Sequence, residues 1–500
     1  MAENHLDHQH SAGIQAQART PRVIYLLLAA TFVVILNETI MSVALPHLMA
    51  DLHVDAPTVQ WVSTAFMLTM AVVIPITGYL LQRFQTRPIF TAAMVLFSAG
   101  TLIAAAAPGF GVLLLGRVVQ AGGTAIMLPL LMTTVLQLVP PAHRGKVMGN
   151  ISIIISVAPA IGPTISGVIL NFLSWRWMFI FVLPIALAML VVGMRQVANV
   201  GIAGTAPLDV PSVILAAFGF GGLVYGLSQV GAAGSALPML ISLGVGALGL
   251  VAFVLRQLRL QKKDHALLDL RTFHQRIFTL SIVMMAVSMM ALFGTIIVLP
   301  IYLQNVLHLD ALSTGLLVLP GGLLMGLAAP FVGRLYDKVG PRPLLVPGSI
   351  VVSVALWSLT LVSDSTPAYL ILAAHLVLSL GLAMVFTPLF TVGLGALPPH
   401  LYSHGSAIVG TVQQVAGAAG AALFVTIMAA QTHVLAGSGS ADAAAAGGVR
   451  LAFLMGAVVS LFAVVAAFFI NKPADAGQSV HGGPEAEPAL HPETEHDTVR

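Results

Sequence analysis

Fourteen apolar stretches, each long enough to cross ~30 Å of hydrocarbon, constrain what this 500-residue chain can become. They fall near 23–45, 58–80, 89–107, 112–137, 147–171, 177–194, 210–231, 237–255, 277–302, 314–333, 343–362, 367–391, 405–430 and 451–470. In lipid, backbone amides must be satisfied internally, so such runs read as helices. Composition points the same way: 58% of the residues are hydrophobic and 8% charged, against roughly 25% charged in a soluble domain. The expected class is an all-α integral membrane protein. A net charge of +3 is too small to suggest nucleic acid, and the lack of cysteine excludes disulfides and thiolate metal sites. The run at 23–45 exceeds the ~7–15-residue apolar core of a secretory signal, so it reads as a first membrane helix that is not cleaved.

Orientation follows from the basic residues, because cytoplasmic loops retain Lys and Arg. With the N-terminus inside, 18 of the 21 basic residues lie on the inner side, Arg176 and Arg450 lie outside, and Arg117 falls within a helix. Both termini are therefore expected in the cytoplasm, and the protein in the cytoplasmic (inner) membrane.

The sequence also repeats itself. "GYLLQRFQTRP" after the second helix returns as "GRLYDKVGPRP" after the tenth, 255 residues later. Two six-helix bundles follow, 23–195 and 276–470, with an inserted helix pair at 208–256, an N-terminal tail at 1–22 and a Pro/Glu-rich, disordered tail at 471–500. Parallel repeats with a midplane site between them are a transporter architecture.

Polar residues inside these runs carry the functional reading. In "FVVILNETIMSVALPHL", Glu38 stands eight residues before Pro46, ~12 Å from the helix end and too deep to snorkel. A central acid costs roughly 2.5–3.5 kcal/mol on insertion scales and faces a cavity or a partner. Desolvation favours the neutral acid and a nearby cation the anion, so a carboxyl exposed alternately to both carries a proton. Glu38 is the only acid placed centrally, and Arg117 the only base. Each has a static alternative: a carboxyl held by neighbouring helices, and a guanidinium tying helices through carbonyls. His375 stands at the repeat position of Arg117 if Gly381 is matched to Gly123; it is a second titratable group or a packing residue. Gln413 and Gln414 are candidate hydrogen-bonders in a cavity or between helices. Met284, Met285, Met289 and Met290 are either core filler or an adaptable drug surface. Trp61, Phe66 and Phe293 are candidate aromatic faces for planar or cationic compounds. The His-rich "HLDHQH" start reads as a solvated tail rather than a metal site.

Other classes lack their motifs. No "GxxxxGK[ST]" cradles ATP, and neither "HExxH" nor "GxSxG" is present to mark a hydrolase. The expected energy source is a proton gradient, with no cofactor.

Several motifs in order and spacing resemble the major facilitator superfamily, and within it the fourteen-helix drug:proton antiporters. "LNETIMSVALP" is similar to that family's "LDxTIVNVALP", "LLLGRVVQAGGTA" to its Arg-x-x-Gln-Gly motif with Arg117 and Gln120 in place, and "APAIGPTISGVI" to its Gly-Pro motif. The resemblance implies the major facilitator fold and export of lipophilic or cationic drugs by a monomer. It further implies proton coupling through the helix 1 acid with Arg117 and Gln120. Leak prevention is implied for Pro159, Gly162, Pro163 and Gly167, and gating for the two repeat loops: Gly78, Arg83 and Arg87, then Gly333, Asp337, Lys338, Gly340 and Arg342. "LNETI" resembles a lincosamide-resistance subgroup. Two departures stand out. Gln82 replaces the usual Asp of the first loop, and Asn37 occupies the usual acid position with Glu38 one residue later, a rotation of about 100°. The alternatives are a dedicated exporter of a metabolite, lipid or siderophore, and a membrane ligand sensor that does not transport.

Overall fold

The computed structural model describes residues 2–200, 207–229, 236–437 and 440–471, with side chains of 2–21 and of a few later helical residues, Pro163 among them, undescribed. The "HLDHQH" side chains and the proposed tail from 472 onward therefore lie outside the described residues. The described chain is helical throughout, with fourteen helices long and apolar enough to cross a membrane. We label these α1 (Ala2–Leu52), α2 (Ala56–Arg83), α3 (Thr86–Ala105), α4 (Phe110–Leu138), α5 (Arg144–Phe172) and α6 (Arg176–Gln196). An inserted pair, α7 (Val210–Ser228) and α8 (Leu237–Leu260), follows. The second bundle is α9 (Arg276–Asn305), α10 (Ala311–Val339), α11 (Arg342–Leu359), α12 (Ala368–Gly395), α13 (Tyr402–Leu435) and α14 (Ala441–Ala467). Helix α1 begins at Ala2, well before the apolar run, so the segment expected as a tail is a helical extension.

The repeat reappears in the packing. In the first bundle α3 packs on α4 and α6, α2 on α4, and α1 on α4, α5 and α6. In the second, α11 packs on α12 and α14, α10 on α12, and α9 on α12, α13 and α14, the same pairs eight helices on. Between bundles, α5 packs on α10 and α13 on α2, contacts that exchange when the halves are exchanged.

Helix α7 is broken by a π-turn at Ala217–Gly221, where its glycines meet those of α8. A β-carbon on Gly222 would stand 2.9 Å from the Gly246 backbone, and one on Gly249 2.8 Å from Gly219. Small residues thus let the backbones of the pair touch, as membrane helices favour. The pair leans on the α2–α13 side: Tyr225 stacks on Trp61 at 5.6 Å and Gly221 lies beside Val72.

Asp209 anchors the other end of the pair. It caps α7 through the Ser212 amide and receives both guanidinium arms of Arg256 at 2.6 and 2.7 Å. Gln257 donates to Ser212 and accepts from the Leu267 amide, tying the pair to the segment that leads into α9. The Arg256 hydrogen bonds pull the Asp209 carboxyl down to about 2 from 3.8. A depressed carboxyl contributes stability above its unfolded value and loses it as pH falls through the folded one. The anchor is therefore indifferent to pH at neutrality and weakens only between about pH 4 and 2. Asp209→Ala removes a cap worth about 1 kcal/mol together with the ion pair. Amide exchange at Ser212 and Leu267 is expected to speed up, while the bundle cores keep their protection.

Candidate functional site

Asn37 and Glu38 lie in the middle of α1's apolar run and face different ways. Asn37 is buried and Glu38 half-buried. Arg117 of α4 is buried and donates to the Gln120 oxygen at 2.7 Å, one helical turn along, and to the Asn37 oxygen at a long 3.4 Å. Gln120 passes its amide to Thr101 of α3 at 2.7 Å, and Thr101 donates to the Phe97 carbonyl. The guanidinium carbon stands 4.0 Å from the centre of the Phe66 ring on α2, a cation–π distance. Four helices thus hold Arg117 through neutral groups. Its Nε has no hydrogen-bond partner.

Glu38 and Arg117 feel each other's charge, yet no ion pair of 4.0 Å or less joins them. Among the described residues the Glu38 carboxyl has no hydrogen bond. Next to it, Thr39 donates to the Leu36 carbonyl and, across to α5, to the Ala158 carbonyl at 3.3 Å. A β-carbon on Gly162 would fall 2.3 Å from the Thr39 hydroxyl. The Pro159–Gly162 stretch of α5 therefore lies against the residue that follows the acid. Gly167, further along α5, has open space around it.

The bundles close at one end, the end that carries Arg22 and Asn471. There Asp337, in the last turn of α10, accepts the Gly145 and Lys146 amides of α5 at 2.8 and 2.9 Å. A carboxylate at a helix N-terminus is stabilised by the orphan amides and the helix dipole. Gly333 lies so close that a β-carbon would stand 2.1 Å from the Gly145 carbonyl oxygen. At the repeat-related place Gln82 of α2 donates to the His400 carbonyl before α13 at 2.9 Å, a neutral bond where the other interface has a carboxylate. Gly78 packs on His404, and Arg144 sits over the Tyr402 ring. Contact between bundles continues to mid-helix through Thr387–Ser152, Gln414–Met70 and Gly326–Val157. Beyond that, Gly167 and Gly315 meet nothing within 4 Å, and Leu312 and Phe172 are exposed. The halves part toward the far end.

The remaining sequence candidates are placed as follows. Gly340 caps α10 at φ 79°, a left-handed conformation that favours glycine, while Lys338 sits in its last turn. Arg342 lies over Phe468, Arg83 over Phe84, and the Arg87 amide is held by Asn199. His375 is not part of the Arg117 network. Its Nε2 lies 3.2 Å from the Val318 carbonyl of α10 and packs on Gly321, which ties α12 to α10 within one bundle. Trp61 is engaged with Tyr225 of the inserted pair, and Phe66 with Arg117. Met285 and Met289 are buried in the second bundle's core, and Phe293 lies against Gly417. Gln413 is half-buried.

Thr101, Thr39, Arg144 and His404 were not singled out in the sequence. Thr101 and Thr39 carry no pattern of their own, whereas "PPAHRG" and "PPHLYSHG", opening α5 and α13, form a repeat that points to the other two.

Two like bundles of membrane helices, closed at one end over a polar midplane, define a multi-pass transporter of the cell membrane. The Major Facilitator Superfamily profile matches residues 27–421, and the chain belongs to that family. It is 43% identical to the lincomycin resistance protein LmrB of Listeria monocytogenes over 90% of this chain and 96% of that one. It is 41% identical to an uncharacterized MFS-type transporter, YcnB, of Bacillus subtilis over 90% and 95%. Among solved structures it resembles the human organic anion transporter MFSD10 (TETRAN), with a TM-score of 0.61, 14% identity and coverage of 90% and 99%, a likeness of fold.

Proposed function

We propose that this transporter is a proton-coupled antiporter that exports lipophilic or cationic drugs, lincosamides among them, from the cytoplasm. The closed end, which carries Arg22 and Asn471, faces the cytoplasm on the count of basic residues, so the conformation is outward-facing. The observation that carries the reading is Glu38: a mid-helix carboxyl with no hydrogen bond or ion pair among the described residues, near a buried Arg117 whose hydrogen bonds go to neutral groups. A structural acid would be paired. An unpaired one on a half-buried face is free to exchange a proton with the outside, and Arg117 supplies the fixed charge against which it titrates. The Thr39–Gly162 contact gives the change a mechanical outlet, because it seats the neighbour of the acid against the Pro159–Gly162 stretch of α5.

In the cycle, the outward-open state takes a proton at Glu38 and releases drug. Neutralised, α1 moves against α5 and the terminal end opens. The proton leaves to the cytoplasm and drug binds. The resistance named in relatives such as LmrB supports a drug as cargo.

The test is transport by purified protein in liposomes. An imposed pH gradient should drive lincomycin to accumulate, and adding drug should move protons the other way. Flux that ignores lincomycin and unrelated lipophilic cations would favour a dedicated exporter. Binding without flux would end the transport-of-drug reading.

A further inference from the structure

We propose that His404 is a second proton-binding residue of this transporter, taking up a proton as the terminal-end gate opens, so that acid on that side favours the open gate. The inference rests on the alternating-access reading above.

The two interfaces that close this end are related by the repeat, and besides the exchange of Asp337 for Gln82 they differ in what the loop glycine meets. On one side glycine meets glycine, Gly333 against the Gly145 backbone. On the other, glycine meets histidine: a β-carbon on Gly78 would stand 3.0 Å from the His404 Nδ1 and 3.4 Å from its Cα. His404 is buried, and its Nδ1 has no hydrogen-bond partner. Buried polar groups generally find partners. His375 likewise has an unpaired Nδ1, but it lies within one bundle, whereas that of His404 lies between the two bundles. Here the unpaired nitrogen is turned against the opposite bundle, at the seam that must part.

The charges that His404 feels come from two elements. The segment joining the inserted pair to α9 supplies Asp269 and Arg271, and the start of α13 supplies His400. Asp269 is buried and already occupied by the Arg271 side chain and amide at 2.9–3.0 Å. Arg271 also reaches Asp264. From α2 the neighbour in contact is Gly78, with Arg83 further along the helix beside Phe84. Among the described residues, no group in the closed gate accepts a proton from Nδ1. When α2 and α13 separate, water reaches that nitrogen, and imidazole titrates in the physiological range. The open gate then binds one more proton than the closed gate. By linkage its population rises as pH falls, by at most about tenfold per pH unit.

The chain has no cysteine, so a spin-label pair can be placed cleanly. Ala142→Cys and Gln275→Cys put labels on exposed positions of the two halves at this end. A Glu38→Gln background removes the proton carrier proposed for the transport cycle. In liposomes between pH 8 and 5.5, the long-distance population should grow on acidification, by up to about tenfold per pH unit. His404→Gln and His404→Asn should each abolish that dependence while keeping the pH 8 distribution. A pH response that survives both substitutions overturns the proposal, as does its absence from the parent. Failure of the antiport reading would show separately, as loss of gradient-driven drug flux in the protein with Glu38 intact.

Discussion

Glu38→Gln is expected to abolish uphill drug accumulation while leaving gradient-free exchange of labelled for unlabelled drug within a few fold of the parent. The substitution keeps the shape of the side chain and removes the proton. For a neutral drug exchanged against one proton, ~100 mV of potential supplies ~2.3 kcal/mol, enough for an accumulation of about 50-fold. A carrier without its proton site falls to a ratio of one. Proton movement on adding drug should vanish in parallel. Uphill export that persists with unchanged proton movement would remove Glu38 from the mechanism. The structure also sharpens the effect of moving the acid back one residue. Asn37 is buried with its oxygen 3.4 Å from Arg117, so a carboxylate there would form an ion pair with the guanidinium. In low dielectric, opening such a pair costs several kcal/mol. Asn37→Asp with Glu38→Gln is therefore expected to bind drug and to stay uncoupled.

How much of this was legible in the sequence depends on the range of the interaction. Fourteen helices and their division into halves follow from apolar length and one repeated loop, both local properties of the chain. The long apolar run at 112–137 became α4, and the Gly-rich 210–231 became a helix broken by a π-turn, because Gly219 and Gly222 need the backbone of α8 to be as close as it is. Glu38 and Arg117 stood out because a charge in an apolar run is conspicuous wherever it points. Gln120, Asn37 and Phe66 were each conspicuous too, but which of them meets which charge was not. That Arg117 rests on Gln120, Asn37 and the Phe66 ring, rather than on Glu38, depends on the rotation of α1 against α4, and periodicity in a uniformly apolar helix does not record rotation. Trp61 was a candidate aromatic face for a drug, but an aromatic side chain on a membrane helix carries no mark of its direction, and that it stacks on Tyr225 of the inserted pair was not visible in the sequence. The methionines of α9 were read both ways, and Met285 and Met289 are core. The gate was half-legible. The glycines of the two repeat loops are plain in sequence, whereas what each meets across the seam, a carbonyl at Gly333 and an imidazole at Gly78, exists only once the halves have closed.

Adding a single methyl group at Gly333 is the second large effect. A β-carbon there would lie 2.1 Å from the Gly145 carbonyl oxygen and 2.9 Å from its carbon. Both are backbone atoms at the start of α5, which the Asp337 carboxylate also grips, so neither can swing aside as a side-chain end would. Within its own bundle the methyl is harmless, since alanine in a helix interior is favoured over glycine by roughly 1 kcal/mol. The strain is confined to the closed state of the gate, which makes it a switch of population rather than a loss of fold. A shift of about 2.7 kcal/mol, half of the ~5.5 kcal/mol that carries a two-state equilibrium from 99:1 to 1:99, would already reduce an outward-facing majority of 99:1 to parity. Gly333→Ala is expected to be produced at the parent level, to hold the Ala142–Gln275 label pair at long distance at every pH, and to lose more than about tenfold of gradient-driven export. Gly315→Ala, on the same helix at the open end where a β-carbon meets nothing within 4 Å, should behave as the parent. Equal transport by Gly333→Ala would mean that the seam between α5 and α10 gives way under a methyl group, and that closure at this end is carried by Asp337 and the α2–α13 seam instead.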